Sequence, residues 1–226
     1  MSIKKLTKKA SIAALTLLSS ALMVNANAQD IDQENWIDLS DPSAIYSGVG
    51  IAGGTEGIDV SAKYGGYLNG QYKHQIAVEA MNDLEYYNIN YKVLNASSLS
   101  GFTLESTWDR DFWGMEDVND SSFGVFAKIP LIENQLYVHP KVNLGVLWGD
   151  DVESTTYIKF DATTRYKFNN IFWAGITPTY TYATKGRDIN DWQGTLEAGV
   201  QLSSAFSLAA HVNDDEEFWA DVLFLF

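Results

Sequence analysis

From residue 44 to residue 226, apolar side chains recur at every second position in short segments, and each segment stops at a cluster of turn-forming residues. The clearest segment is 156–168, where Ile158, Phe160, Ala162, Thr164, Tyr166 and Phe168 alternate with Tyr157, Lys159, Asp161, Thr163, Arg165 and Lys167. A period of two places these sets on opposite faces of a β-strand. No helical stripe competes with it. The same reading predicts twelve strands, at 45–52, 58–68, 72–80, 86–94, 102–108, 123–131, 136–148, 156–168, 172–182, 192–202, 206–212 and 218–226. Pro140 and Pro178 each remove one donor from a ladder, a local cost that leaves the assignment standing.

Length agrees with that count. Twelve strands of ~10 residues use ~120 of the 183 residues after position 43 and leave ~5 for each connection, an ordinary hairpin length. Eight strands would strand ~100 residues in seven links, against the short turns seen. Ten follows if the glycine-rich first pair or the short 206–212 segment fails to form. The connections also alternate in chemistry. Those at 95–100, 132–135, 169–170 and 203–205 are short and nearly free of acid, whereas 109–122, 149–153, 185–191 and 214–217 are acidic, the first being the longest. Successive hairpin ends therefore face two compartments.

The first 28 residues stand apart. Lys4, Lys5, Lys8 and Lys9 precede an apolar run from Ile12 to Val24 and the small-x-small triplet Ala26-Asn27-Ala28, the three parts of a cleaved secretory signal peptide. Residues 29–43 are polar, acidic and without period. They are read as a flexible periplasmic lead-in segment, with folding back into the barrel as the alternative. Residues 44–226 are the barrel.

Charge and composition narrow the function. The whole chain carries 15 basic and 29 acidic residues; without the four leader lysines, eleven bases face the same acids and the net charge falls from −14 to −18. Such a chain is a poor ligand for nucleic acid. It has no cysteine, hence no disulfide and no thiolate metal site. No cofactor or metal is expected. No later apolar run is long enough for a membrane helix, so a membrane location requires a closed barrel, which satisfies its own backbone.

Alternation does not say which face is inside, but the ends of the apolar rows do. Trp108, Trp148, Tyr182, Trp192 and Phe218 gather at one set of strand ends, and Tyr72, Phe102, Tyr166, Phe168, Phe172 and Phe206 at the other. Two aromatic rings match the interface girdles of a membrane barrel. The last segment adds Phe218, Ala220, Val222, Phe224 and Phe226 as one apolar row that ends with the chain. It resembles the closing strand of bacterial outer-membrane β-barrels, whose assembly machinery reads a terminal aromatic preceded by alternating apolar residues. That resemblance makes Phe218, Val222, Phe224 and Phe226 an assembly signal. It implies an all-β, transmembrane, antiparallel up-and-down β-barrel in the bacterial outer membrane, with outer-membrane lipids, lipopolysaccharide and the barrel-assembly machinery as partners.

The polar face is then the lumen. It collects Lys63, Lys73, Lys92, Lys128, Lys141, Lys159, Arg165 and Lys167, eight of the eleven bases, against Asp59, Glu79, Glu105, Asp161, Glu197 and Asp221, with His139 and His211 also inward. A twelve-stranded barrel is wide enough to keep water inside. The expected function is a narrow passive pore for small hydrophilic solutes, weakly preferring anions, lined by Lys63, Lys73, Glu79, Lys92, Glu105, Lys128, His139, Lys141, Lys159, Asp161, Arg165, Lys167 and Glu197. Size, strand count, short turns and basic interior resemble the small monomeric twelve-stranded porins for acidic oligosaccharides such as oligogalacturonates, which implies a monomer. Those porins are arginine-rich inside, whereas Arg165 alone is an inward arginine here.

Two other readings are weighed. One is a structural or adhesive barrel plugged by its own side chains. The other is an enzyme similar to the outer-membrane phospholipases, which place a Ser-His-Asn site on the outer wall. The outward histidine is His74, and no serine is paired with it by the pattern, so it is read as an interface residue and the protein as a non-enzyme.

Overall fold

The computed structural model describes residues 36–112, 115–150 and 152–226. The signal peptide read at 1–28 and the lead-in up to residue 35 lie outside them. Asp38–Phe226 forms one compact unit, and among its described residues the regular structure is all strand.

Twelve antiparallel strands close a ring: β1 (Gly48–Gly54), β2 (Ile58–Asn69), β3 (Tyr72–Met81), β4 (Tyr86–Asn95), β5 (Ser100–Phe112), β6 (Met115–Ala127), β8 (Leu136–Trp148), β9 (Thr155–Lys167), β10 (Phe172–Lys185), β11 (Asn190–Ser203), β12 (Phe206–Asn213) and β13 (Phe218–Leu225). Each pairs with its neighbour in sequence, and β13 returns to β1 from Gly48↔Leu225 to Gly54↔Trp219. Closure leaves no open edge, which is the condition for spanning lipid with strands. The short β7 (Ile129–Ile132) lies outside the ring. It continues β6 beyond a break at Lys128 and pairs with β8 alone. Its other flank has no partner because β5 begins at Ser100, opposite Ala127. Pro130, which has no amide to donate, lies on this strand opposite Tyr137.

The faces settle the orientation. Leu144 is 57% exposed and Phe160 46%, while Asn143 next to Leu144 is 3% exposed and Thr103 4%. A soluble barrel would show the reverse. Ile51, Ile76, Leu104, Phe123, Ile176 and Leu196 are likewise exposed, so the apolar rows form an outward belt and the polar rows line the interior. The girdle residues Trp148, Tyr182 and Trp192 at one end, and Tyr72, Tyr166 and Phe168 at the other, stand on the same outer face.

One connection differs from expectation. The stretch 109–122, read as the longest loop, is mostly strand: β5 and β6 run on as a hairpin through Thr107↔Asp120, Arg110↔Val118 and Phe112↔Met115, with register shifts between these pairs. Asp109 and Asp117 take positive φ values of 61° and 54° there. Five acids hide this hairpin from a pattern search. Beyond the bilayer both faces of a strand can be wet, so backbone pairing persists where alternation has stopped.

The lead-in also has structure in its described part. Residues 38–47 run inside the ring. They form a strap across the lumen near the short-turn end, where Phe226 donates to the Ser47 carbonyl at 3.3 Å. Strand β1 accordingly begins at Gly48, three residues later than the alternation indicates.

Candidate functional site

The lumen wall is built from inward positions that alternate with the lipid-facing rows. Several are glycine, and some of these lie opposite an aromatic ring. A Cβ on Gly145 would meet the Tyr157 ring at 2.2 Å, and one on Gly199 the Trp173 ring at 2.4 Å. The rings lie flat over the bare backbone across the strand pair, so large side chains line the wall without filling the centre. On β1 the inward residues are Gly48, Gly50, Ala52 and Gly54, leaving that wall almost without side chains.

Most inward charges are paired. Lys63 meets Glu79 at 3.9 Å, Lys141 meets Glu105 at 3.6 Å, and Lys159 meets Asp161 at 3.9 Å. Arg165 forks onto Glu197 through Nε and through Nη2, the latter at 2.5 Å, and its guanidinium lies 4.0 Å from the centre of the Trp173 ring. His211 bridges Glu197 at 3.6 Å and Asp221 at 2.9 Å and stacks on Trp219. Lys73 sits 5.0 Å from the Tyr67 ring centre.

The strap engages the remaining inward bases. The Tyr46 carbonyl accepts from Gln75 at 2.7 Å, and the Pro42 carbonyl from Lys92 at 2.7 Å. Asp41 Oδ2 takes the Lys128 ammonium at 2.6 Å, and its Oδ1 lies 3.7 Å from His139. The Ser40 carbonyl accepts from Arg165 at 2.5 Å, Asp38 Oδ2 takes Lys167 at 2.8 Å, and the Leu39 amide donates to Gln201 at 3.1 Å. The path touches β3, β4, β8, β9 and β11 in turn. It ties opposite walls together at one level.

Burial alone would raise the Asp41 carboxyl, but the Lys128 ammonium, the Ser43 hydrogen bond and His139 outweigh it and hold the group below the ordinary aspartate value of 3.8. A depressed carboxylate contributes stability above its unfolded value and loses it as pH falls through the folded one. The hold of Asp41 on the wall is therefore complete above pH 3.8 and weakens only in stronger acid. The Ser43 amide donates to Asp41 Oδ1 at 2.8 Å and reports this directly. Its NMR resonance, followed in nanodiscs, is expected to titrate with a midpoint below 3.8. A midpoint above that value would mean that the Lys128 pair is not formed.

Two cavities remain beside the strap. One of about 320 Å³ lies against the bare β1 wall, bordered by Tyr46, Asp59, Trp173, His211, Trp219 and Asp221. The other, of about 350 Å³, is bordered by Lys92, Thr103, Glu105, His139, Lys141 and Asp161. Lys63 and Glu79 border both. At the long-loop end, Val118, Leu147 and Tyr157 on the inner wall pack with Ile189 into a buried apolar cluster, and the Tyr157 hydroxyl donates to Asp120 at 2.7 Å. Asp120 is thus a further inward acid.

Sequence reasoning named thirteen lining residues; twelve of them lie on strands of the ring, and Lys128 lies at the β6–β7 break. It missed the strap, the Trp173 and Trp219 rings, and Asp120 with Tyr157. His74 stands on the outer face with its ring centre 5.9 Å from that of Tyr91. Phe218, Val222 and Phe224 share the outward face of β13, and Phe226, just beyond the strand, is 79% exposed.

No protein-family model matches the sequence, and a search of curated proteins finds no match. Solved structures do match. An outer-membrane channel from Pseudomonas putida F1 superposes with a TM-score of 0.60 at 8% identity, covering 87% of this chain and all of that one. The NanC porin gives 0.53 at 6% identity over 79% of this chain and 98% of its own. The KdgM porin, solved with disordered oligogalacturonate, gives 0.52 at 9% identity over 79% and 99%. Identity this low speaks for the fold. The chain shares the fold of these outer-membrane proteins, a closed antiparallel β-barrel.

Proposed function

We propose that this protein is a narrow channel of the bacterial outer membrane through which small hydrophilic solutes pass down their gradients. The observation that carries the reading is a lumen whose polar, charge-paired wall encloses two cavities of about 320 and 350 Å³ sharing Lys63 and Glu79 as a common border. A space lined by opposed charges, hydroxyls and amides holds water, and water-filled constrictions of this kind conduct ions. The similarity in fold to porins and an outer-membrane channel supports it.

We infer that the strap offsets the weak anion preference expected from eight inward bases against six inward acids. Asp38 and Asp41 bring two acids from the strap, and Asp120 adds a third. On this reading the pore discriminates by width more than by sign. Lipids and lipopolysaccharide surround the outward belt, the assembly machinery reads the outward face of β13, and the chain works as a monomer.

The strap and the apolar cluster at the other end favour one competing reading, a barrel plugged by its own chain. Planar-bilayer recording on the mature protein separates the two. Discrete conductance steps, smaller than those of wide general porins, are the expected result. A refolded barrel that gives no steps would overturn the channel reading and favour the plug.

A further inference from the structure

Residues 38–43 read Asp-Leu-Ser-Asp-Pro-Ser, the same three-residue turn twice. In the first, Asp38 Oδ1 accepts the Ser40 amide at 3.1 Å and its hydroxyl at 2.5 Å. In the second, Asp41 Oδ1 accepts the Ser43 amide at 2.8 Å and its hydroxyl at 2.6 Å. An aspartate that bonds the backbone two residues on fixes its own carboxylate. Both serines are buried. In each turn the second oxygen, Oδ2, is left to face the wall, where it meets Lys167 at 2.8 Å and Lys128 at 2.6 Å. The strap's carbonyls take Arg165 and Lys92. Four of the eight inward bases are thus engaged at one mouth by a segment that supplies two negative charges and no positive one.

We propose that Asp38 and Asp41 set the charge selectivity of this pore, cancelling the positive field of Lys128 and Lys167 at the short-turn mouth so that anions gain no advantage there. The inference rests on the channel reading. Fixed charge beside a narrow, wet path decides which ions enter, because low-dielectric walls concentrate its field. Without the two carboxylates the mouth presents Lys92, Lys128, Arg165 and Lys167, with Glu197 the acid bonded to one of them, Arg165, among the described residues, and it becomes basic. The tandem turn makes the two charges separable from the fold. Asparagine keeps an Oδ1 acceptor for the serine amide and loses the charge.

The test is the reversal potential across a salt gradient in planar bilayers. It compares the mature protein, the D38N/D41N variant and a control, D215N/E216Q, which removes two acids from the exposed loop before β13. Heat-modifiable electrophoretic mobility checks that each barrel is folded. In D38N/D41N the anion-to-cation permeability ratio is expected to rise about fivefold, from two unit charges within a few ångströms of a watery path; the control should leave it unchanged. An unchanged ratio in D38N/D41N, with conductance intact, overturns the inference and leaves the channel reading standing. So does an equal rise in the control, which would make the effect one of overall surface charge. If the double variant does not fold, D41N alone decides, with a smaller rise in the same direction supporting the inference and none overturning it. Absence of conductance in every folded variant would remove the channel reading and this inference with it.

Discussion

Replacing Arg165 by methionine is expected to destabilise the barrel by about 3–5 kcal/mol, the range found when one partner of a buried ion pair is removed. Glu197 is 8% exposed and would be left with His211, at 3.6 Å, as its neighbour. The variant also loses the bond to the Ser40 carbonyl and the stacking on Trp173, so the strap is loosened from the same wall. Replacing both members, R165M/E197L, should recover much of the loss, because an apolar pair avoids leaving a charge unmatched. Equilibrium unfolding by guanidinium in liposomes, followed by tryptophan fluorescence, supplies the double-mutant cycle. A single variant as stable as the parent would show that the Arg165–Glu197 pair does not form.

The second large effect comes from the opposite face. Leu144→Arg, on the outward side of β8, is expected to cost about 2–4 kcal/mol by placing a guanidinium against acyl chains. The same arginine at Thr163, which borders the second cavity, should cost far less, since water and carboxylates surround it. The pair of measurements turns on direction alone. Both strands are central in the sheet; Leu144 pairs with Phe123 and Ile158, and Thr163 with His139. Equal costs at the two sites would contradict the assignment of faces.

The sequence exposed the wall better than it exposed what the wall encloses. Alternation over 156–168 assigns every side chain of β9 to a face, because a half-buried strand must repeat at two. The hairpin extension of β5 and β6 was missed for the same reason: where water bathes both sides, nothing enforces the period. The strap was invisible to a search for alternation, being neither strand nor helix. A signal for it was present all the same, in the twice-repeated Asp-x-Ser, which favours a turn at each aspartate. What no local pattern contains is the pairing of Asp41 with Lys128 and of Asp38 with Lys167, distant in the chain and joined only once the barrel closes. Counting charges on strands alone gave eight inward bases against six inward acids and left out Asp38 and Asp41.

The natural absence of cysteine allows the central claim, lysines toward water and apolar rows toward lipid, to be read position by position. Single cysteines placed in turn from Ile158 to Thr163 on β9, in protein refolded into liposomes, are exposed to a membrane-impermeant charged maleimide. Labelling is expected at 159, 161 and 163 and not at 158, 160 and 162, the latter reacting only with a lipid-soluble reagent. The inverse alternation, or uniform labelling along the strand, would contradict it.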